Sequence, residues 1–170
     1  MLCFHFFGRE VIMGRRWRFW PLTGFLTAAV LGTLAHFTYR WSGGALLAGV
    51  FCAVNESVWE HMKLLFFPVF LFTAAQFCMG ERDGLLAARA VSVTAGLALI
   101  PTLYYTYTGI WGDHVLWADA AIFYLSAAVT FWLDDLLHRQ RRLWKMEYQV
   151  AGLVWLWVLA FLFVWWTFSP

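Results

Sequence analysis

Long apolar runs separated by short polar clusters organise this chain. Four runs are long enough to cross a bilayer as helices: Trp20 to Tyr39, Leu85 to Tyr107, Val115 to Leu137 and Tyr148 to Phe168. A helix needs roughly 20 apolar residues to cover about 30 Å of hydrocarbon, and no run shows the alternating ~10-residue pattern of an outer-membrane barrel. The pattern therefore predicts an all-α polytopic bundle.

Residues 43–80 break the regularity. A continuous helix over residues 44–79 would be about 54 Å long at 1.5 Å per residue, too long for one crossing. Inside it lies "AVNESVWEHMKLLFFP", Ala53 to Pro68, with two carboxylates, an imidazole and an amine. Ser57 followed by Glu60 reads as a capping box that opens a helix, and Pro68 is a second possible break because it lacks the N–H. The first choice makes Gly44 to Val54 a short re-entrant or interfacial helix and Ser57 to Met79 the crossing.

Charge favours one net crossing in this region. Arg9, Arg15, Arg16, Arg18, Arg82, Arg89, Arg139, Arg141, Arg142 and Lys145 then share one side and only Arg40 lies on the other, with Lys63 unassigned. Two crossings would split the basic residues almost evenly and leave insertion without an orientation signal. The expected topology is five net crossings plus the short helix, with residues 1–19 a cytoplasmic N-terminal segment, residues 20–168 one bundle domain and the C-terminus outside. The basic residues follow the apolar start of the chain, the reverse of a signal peptide, and Met13 is an alternative start that would make residues 1–12 an artefact.

Composition sharpens the class. The chain is 62% hydrophobic and 13% charged, about half the charged fraction of soluble domains. Its partner is the lipid bilayer, not nucleic acid, since the net charge of +2 reflects arginines at membrane edges. Trp17, Trp20, Trp41, Trp111, Trp144, Trp165 and Trp166 near segment ends suit an interfacial belt. Cys3, Cys52 and Cys78 have no CxxC spacing, so neither a disulfide framework nor a zinc ribbon is indicated.

Polar groups inside the spans carry the candidate chemistry. Small residues at Gly24, Ala28 and Gly32 lead to His36, and Gly44, Ala48 and Cys52 lead to Glu56; such ridges let helices approach closely and turn the terminal ionisable group inward. Asp119, Ser126, Thr130 and Asp134 follow one face of the fourth long run. If residues 56–63 are helical, Glu56, Glu60 and Lys63 share a face, as a snorkelling ion-pair ladder or a cation or proton site, and His61 points about 100° from Glu60. Asn55, Glu56, Glu60, His61 and Asp119 form the candidate binding set, with Glu56, Glu60 and His61 the catalytic candidates. Imidazole and carboxylate donors make a divalent metal one candidate cofactor, held among His36, His61, His114, Glu56 and Glu60. "EHMK" is not HExxH, and no GxSxG turn accompanies Asp113 and His114, so those hydrolase signatures are missing. Asp113 is expected as a helix-start charge, and Asp134 with Asp135 as balance for the Arg139 to Lys145 cluster.

The run "NESVWEH", Asn55 to His61, with "HFTYRW" (His36 to Trp41) and "DAAIFY" (Asp119 to Tyr124), resembles an uncharacterised family of small bacterial polytopic membrane proteins, a domain of unknown function. The resemblance spans nearly the whole chain and implies a protein of the bacterial inner or cytoplasmic membrane; it supplies no activity. Three functions follow from the residues: binding or transport of a cation, proton or small solute; a metal-dependent or acid/base enzyme acting on a lipid or isoprenoid; and a non-catalytic membrane assembly subunit. The transport reading carries the expectation of a homo-oligomer, because five crossings are few for a monomeric transporter.

Overall fold

A computed structural model describes residues 19–168. Its helices are α1 (Trp20–Trp41), the short α2 (Leu46–Phe51), α3 (Val58–Cys78), α4 (Leu85–Trp111), α5 (Leu116–His138) and α6 (Met146–Phe168), with a 3-10 turn at Arg141–Trp144. No strand occurs among the described residues. All but α2 are long and apolar enough to cross a membrane, giving five candidate spans. The initial basic cluster (Arg9, Arg15, Arg16, Arg18), Trp17 and the start-site question at residues 1–12 lie outside the described residues.

The irregular stretch falls where the spacing of Ser57 and Glu60 places it. Helix α2 ends at Phe51, the backbone runs irregularly through Cys52 to Ser57, and α3 begins at Val58. Pro68 does not break α3, which passes through it unbroken. Ser57 Oγ accepts the Glu60 N–H at 3.3 Å, and Asn55 Oδ1 accepts the Ser57 N–H at 3.0 Å. Only half of the capping box forms, because the Glu60 carboxylate reaches back to the Val54 N–H at 2.9 Å instead of to Ser57.

Helices α3 and α4 are the most buried and sit centrally, with α1 on α3, α6 on α4, and α5 spanning from α4 to α1. Close approach depends on glycine at the crossings. A Cβ at Gly32 would meet the Phe123 ring and the Leu64 carbonyl; one at Gly96 would overlap Thr130 Oγ1; one at Gly152 would strike the Leu86 backbone. The Gly24, Ala28, Gly32 ridge of α1 is buried throughout, as its spacing predicts. The second ridge does not form. Gly44 is exposed at φ +80° before α2 begins, and the buried small residue of α2 is Gly49.

At the end of the bundle carrying the Arg139 to Lys145 cluster, Asp135 pairs with Arg139 as expected, but Asp134 does not serve that cluster. It pairs with Arg89 of α4 through Nε at 3.1 Å and Nη2 at 3.0 Å, and the same Nη2 donates to Gln76 Oε1 at 2.8 Å. The guanidinium lies over the Phe131 and Phe72 rings and is 1% exposed. Two facing helices share the site, so the charges neutralise each other inside the bundle. Ser126 and Thr130 are buried on the same face of α5.

Removing one member of this pair leaves the other charge buried. Arg89→Met should lower unfolding stability in mixed micelles by about 3–5 kcal/mol, while the double change Arg89→Met with Asp134→Leu should recover most of the loss. A double variant no more stable than the single one would contradict a paired, desolvated interaction.

Candidate functional site

The break between α2 and α3 sends two carboxylates in opposite directions. Glu60, in the first turn of α3, turns into the bundle, where Lys63 Nζ meets its Oε2 at 2.6 Å. Lys63 is fully buried and also donates to the Gly49 carbonyl at 2.8 Å and to Thr167 Oγ1 at 3.1 Å. Lys63 therefore does not snorkel. Cys52 opens the break and is buried, and that burial raises its thiol pKa.

Glu56 precedes the N-cap Ser57, outside the helix, and so does not share a face with Glu60 and Lys63. It faces α1 and the outer side of α3. Its Oε1 lies 3.8 Å from His36 Nε2 and its Oε2 lies 3.7 Å from His61 Nε2. The two imidazole rings are 5.5 Å apart between centroids. One donor atom from each of His36, Glu56 and His61 lies within 4.8 Å of the other two. The histidines are about one-quarter exposed and Glu56 is 70% exposed, so the cluster is built by the protein but reached from outside.

Hydrogen bonding assigns the tautomer of His61. Its Nδ1 lies 2.9 Å from the Ser57 carbonyl oxygen, which can only accept, so Nδ1 carries a proton. In the neutral ring, Nε2 then presents its lone pair toward the Glu56 carboxylate. Neither 3.7 nor 3.8 Å is a hydrogen-bond distance. Two imidazoles and a carboxylate thus converge with a gap between them. Tetrahedral coordination at about 2.0–2.2 Å puts donor atoms roughly 3.4 Å apart, which small side-chain movements would reach.

The cluster lines a cavity of about 520 Å³ together with Arg40, Tyr104, His114 and Asp119. His114 Nδ1 lies 3.3 Å from Asp119 Oδ2, while Asp119 Oδ1 accepts the Tyr107 hydroxyl, which itself accepts the Val115 N–H at 3.2 Å. Asp113 does not cap α5 with its side chain; the N-cap is Val115, and the Asp113 carboxylate accepts the His114 N–H at 2.7 Å.

The candidate residues therefore separate. His36, Glu56 and His61 meet, His114 and Asp119 line the same cavity, Asn55 is spent on the turn, and Glu60 belongs to the buried pair on the other side of α3. Sequence reasoning left out Tyr107 and Arg40. Tyr107 was accessible to it: Tyr107 and Asp119 are equidistant from Asp113 in a short helical hairpin, which brings them face to face. Arg40 follows His36 by one helical turn and so shares its face.

The sequence model of a family of unknown function (DUF6512) matches residues 11–170, and the chain belongs to that family. No curated protein and no solved structure matches the chain.

The divergence of the two carboxylates is open to measurement. In a background with Cys3, Cys52 and Cys78 replaced, cysteine at position 56 should react with a polar maleimide in the folded protein at least tenfold faster than cysteine at position 60. Equal rates would show that both positions face the same space.

Proposed function

We propose that this protein binds a divalent cation at the His36, Glu56 and His61 cluster, at the mouth of its transmembrane bundle. The observation that carries the reading is the orientation of His61. Its Nδ1–H is committed to the Ser57 carbonyl, which fixes the ring and turns Nε2 toward the Glu56 carboxylate, 3.7 Å away and beyond hydrogen-bond distance. In the neutral ring Nε2 and the carboxylate are both acceptors and favour a cation between them, and a carbonyl-anchored imidazole is the usual support of a metal-ligating histidine. Two histidines, one carboxylate and open positions suit zinc, or ferrous iron in a three-ligand facial arrangement.

Sidedness follows from the same charge logic as the spans. The site end carries Arg40, whereas Arg82, Arg139, Arg141, Arg142 and Lys145 gather at the opposite end. The positive-inside rule then puts the site on the extracytoplasmic side, with the N-terminus cytoplasmic and the C-terminus outside.

A second reading, a metal-dependent enzyme, is favoured by the His114 and Asp119 pair. A carboxylate held at Nδ1 of an exposed imidazole leaves Nε2 free to exchange protons across the same cavity. Binding at the cluster is common to both readings.

The full chain, purified in detergent and stripped of metal, should take up one equivalent of zinc. Glu56→Gln and His61→Ala should weaken uptake by at least the tenfold to a hundredfold that even a supporting partner typically contributes. Cobalt in place of zinc should give the visible absorption of a low-coordinate site. Wild-type protein that takes up no metal, or a Glu56→Gln variant with unchanged affinity, would overturn the reading.

A further inference from the structure

We propose that the bound cation and Arg40 together hold the phosphate of a membrane lipid, whose acyl chain leaves the site sideways through a groove between α1 and α5. The proposal rests on the cation site argued above and identifies what that site takes.

Charge sets the headgroup. Arg40 stands one turn beyond His36 on α1, lines the same cavity, and makes no ion pair among the described residues. A divalent cation held by two neutral imidazoles and one carboxylate retains a net charge of +1 and open coordination positions. With the guanidinium beside it and the Asp119 carboxylate lining the same cavity, the mouth carries about one uncompensated positive charge. Asp119 is held by the Tyr107 hydroxyl and His114 Nδ1, which leaves the cation and Arg40 as the groups open to an anion. Phosphate oxygens can bridge a metal and an arginine, because the guanidinium fork pairs with two of them in parallel.

Shape sets the tail. A groove of about 180 Å³ continues from His36, His61 and Asp119 along the seam between α1 and α5. Its floor is apolar, formed by Gly32, Leu64 and Phe123, all buried. Its rim consists of Thr33, Phe37, Leu116, Ala120 and Tyr124, all exposed on the side of the bundle where lipid chains would lie. Thr33 Oγ1 and Tyr124 OH meet at 2.9 Å at its inner end, so a chain running inward must leave toward lipid. Gly32 is required for this floor, because a Cβ there would meet Phe123. A soluble phosphate ester has no use for such a seam. An anionic amphiphile matches both halves of the cavity.

The test uses the full chain loaded with zinc in nanodiscs or detergent, with dihexanoyl phosphatidic acid, inorganic phosphate and uncharged dihexanoylglycerol as probes. Phosphatidic acid should bind at least tenfold more tightly than either of the others. Arg40→Gln should lose about tenfold for phosphatidic acid with zinc stoichiometry unchanged. Ala120→Trp, which fills the rim of the groove, should weaken phosphatidic acid but leave inorganic phosphate and zinc as they were. Equal affinity for phosphatidic acid and phosphate would mean a soluble phosphate site and overturn the proposal, as would an unaltered Arg40→Gln variant. Zinc bound without any lipid preference defeats this inference alone; absence of zinc from the wild type defeats the cation reading and this inference with it.

Discussion

The buried pair between Glu60 and Lys63 is the interaction on which the mouth of the bundle depends. Taking two charges out of water costs several kcal/mol per ion, and only a fully hydrogen-bonded arrangement offsets it. Here the Val54 N–H meets the carboxylate, while the Gly49 carbonyl and the Thr167 hydroxyl oxygen meet the amine. Those partners come from α2, the break and α6, so satisfying one ion pair fixes three elements against α3. The irregular backbone at residues 52–57 is enclosed by protein on one side and opens to a cavity on the other, the setting in which non-helical backbone is tolerated in a membrane bundle.

A bundle so pinned can expose Glu56 without unravelling. The chain must turn after Phe51, and the Asn55 and Ser57 side chains take up backbone N–H groups that no helix supplies with partners. That turn places Glu56 just outside the N-cap, facing the α1 histidine, while the same few residues send Glu60 inward. At the opposite end of the bundle, Arg89, Asp134 and Gln76 perform the corresponding service, joining α3, α4 and α5 by a second buried charge pair. The transmembrane core between the two networks is left to aromatic and small-residue packing, among them Phe66, Phe72, Phe123, Phe131 and Phe163. Position is thus specified at both ends by polar groups, where a uniformly apolar interface would leave helix register weakly defined.

Four of the five long helices were legible in the sequence from length and apolarity alone, and the fifth from the count of basic residues that favoured one net crossing over residues 43–80. The break at Asn55 to Ser57 was legible from the Ser57 and Glu60 spacing. What failed was every inference that extended helical periodicity across the break. Glu56, Glu60 and Lys63 were read on one face by counting in steps of 3.6, but Glu56 is not helical. Gly44, Ala48 and Cys52 failed as a ridge for the same reason, since α2 includes only Ala48 of the three. Asp134 was assigned to the nearest cations in sequence, while its partner lies 45 residues away on a facing helix. Contacts between helices depend on crossing geometry, which a one-dimensional pattern does not contain; the Tyr107 and Asp119 pair, joined by a tight hairpin, is the exception.

The two polar clusters of the mouth can be told apart by what their atoms lack. Around Glu60 and Lys63, three groups close the pair at hydrogen-bond distance: the Val54 N–H, the Gly49 carbonyl and the Thr167 hydroxyl oxygen. Around Glu56, the nearest imidazole nitrogens stop at 3.7 and 3.8 Å, and the hydrogen bond from His61 Nδ1 to the Ser57 carbonyl turns Nε2 toward the carboxylate. Because Ser57 is also the N-cap of α3, the residue that starts the helix is the one whose carbonyl orients the His61 ring, so the fold of the break and the geometry of the cluster are the same feature.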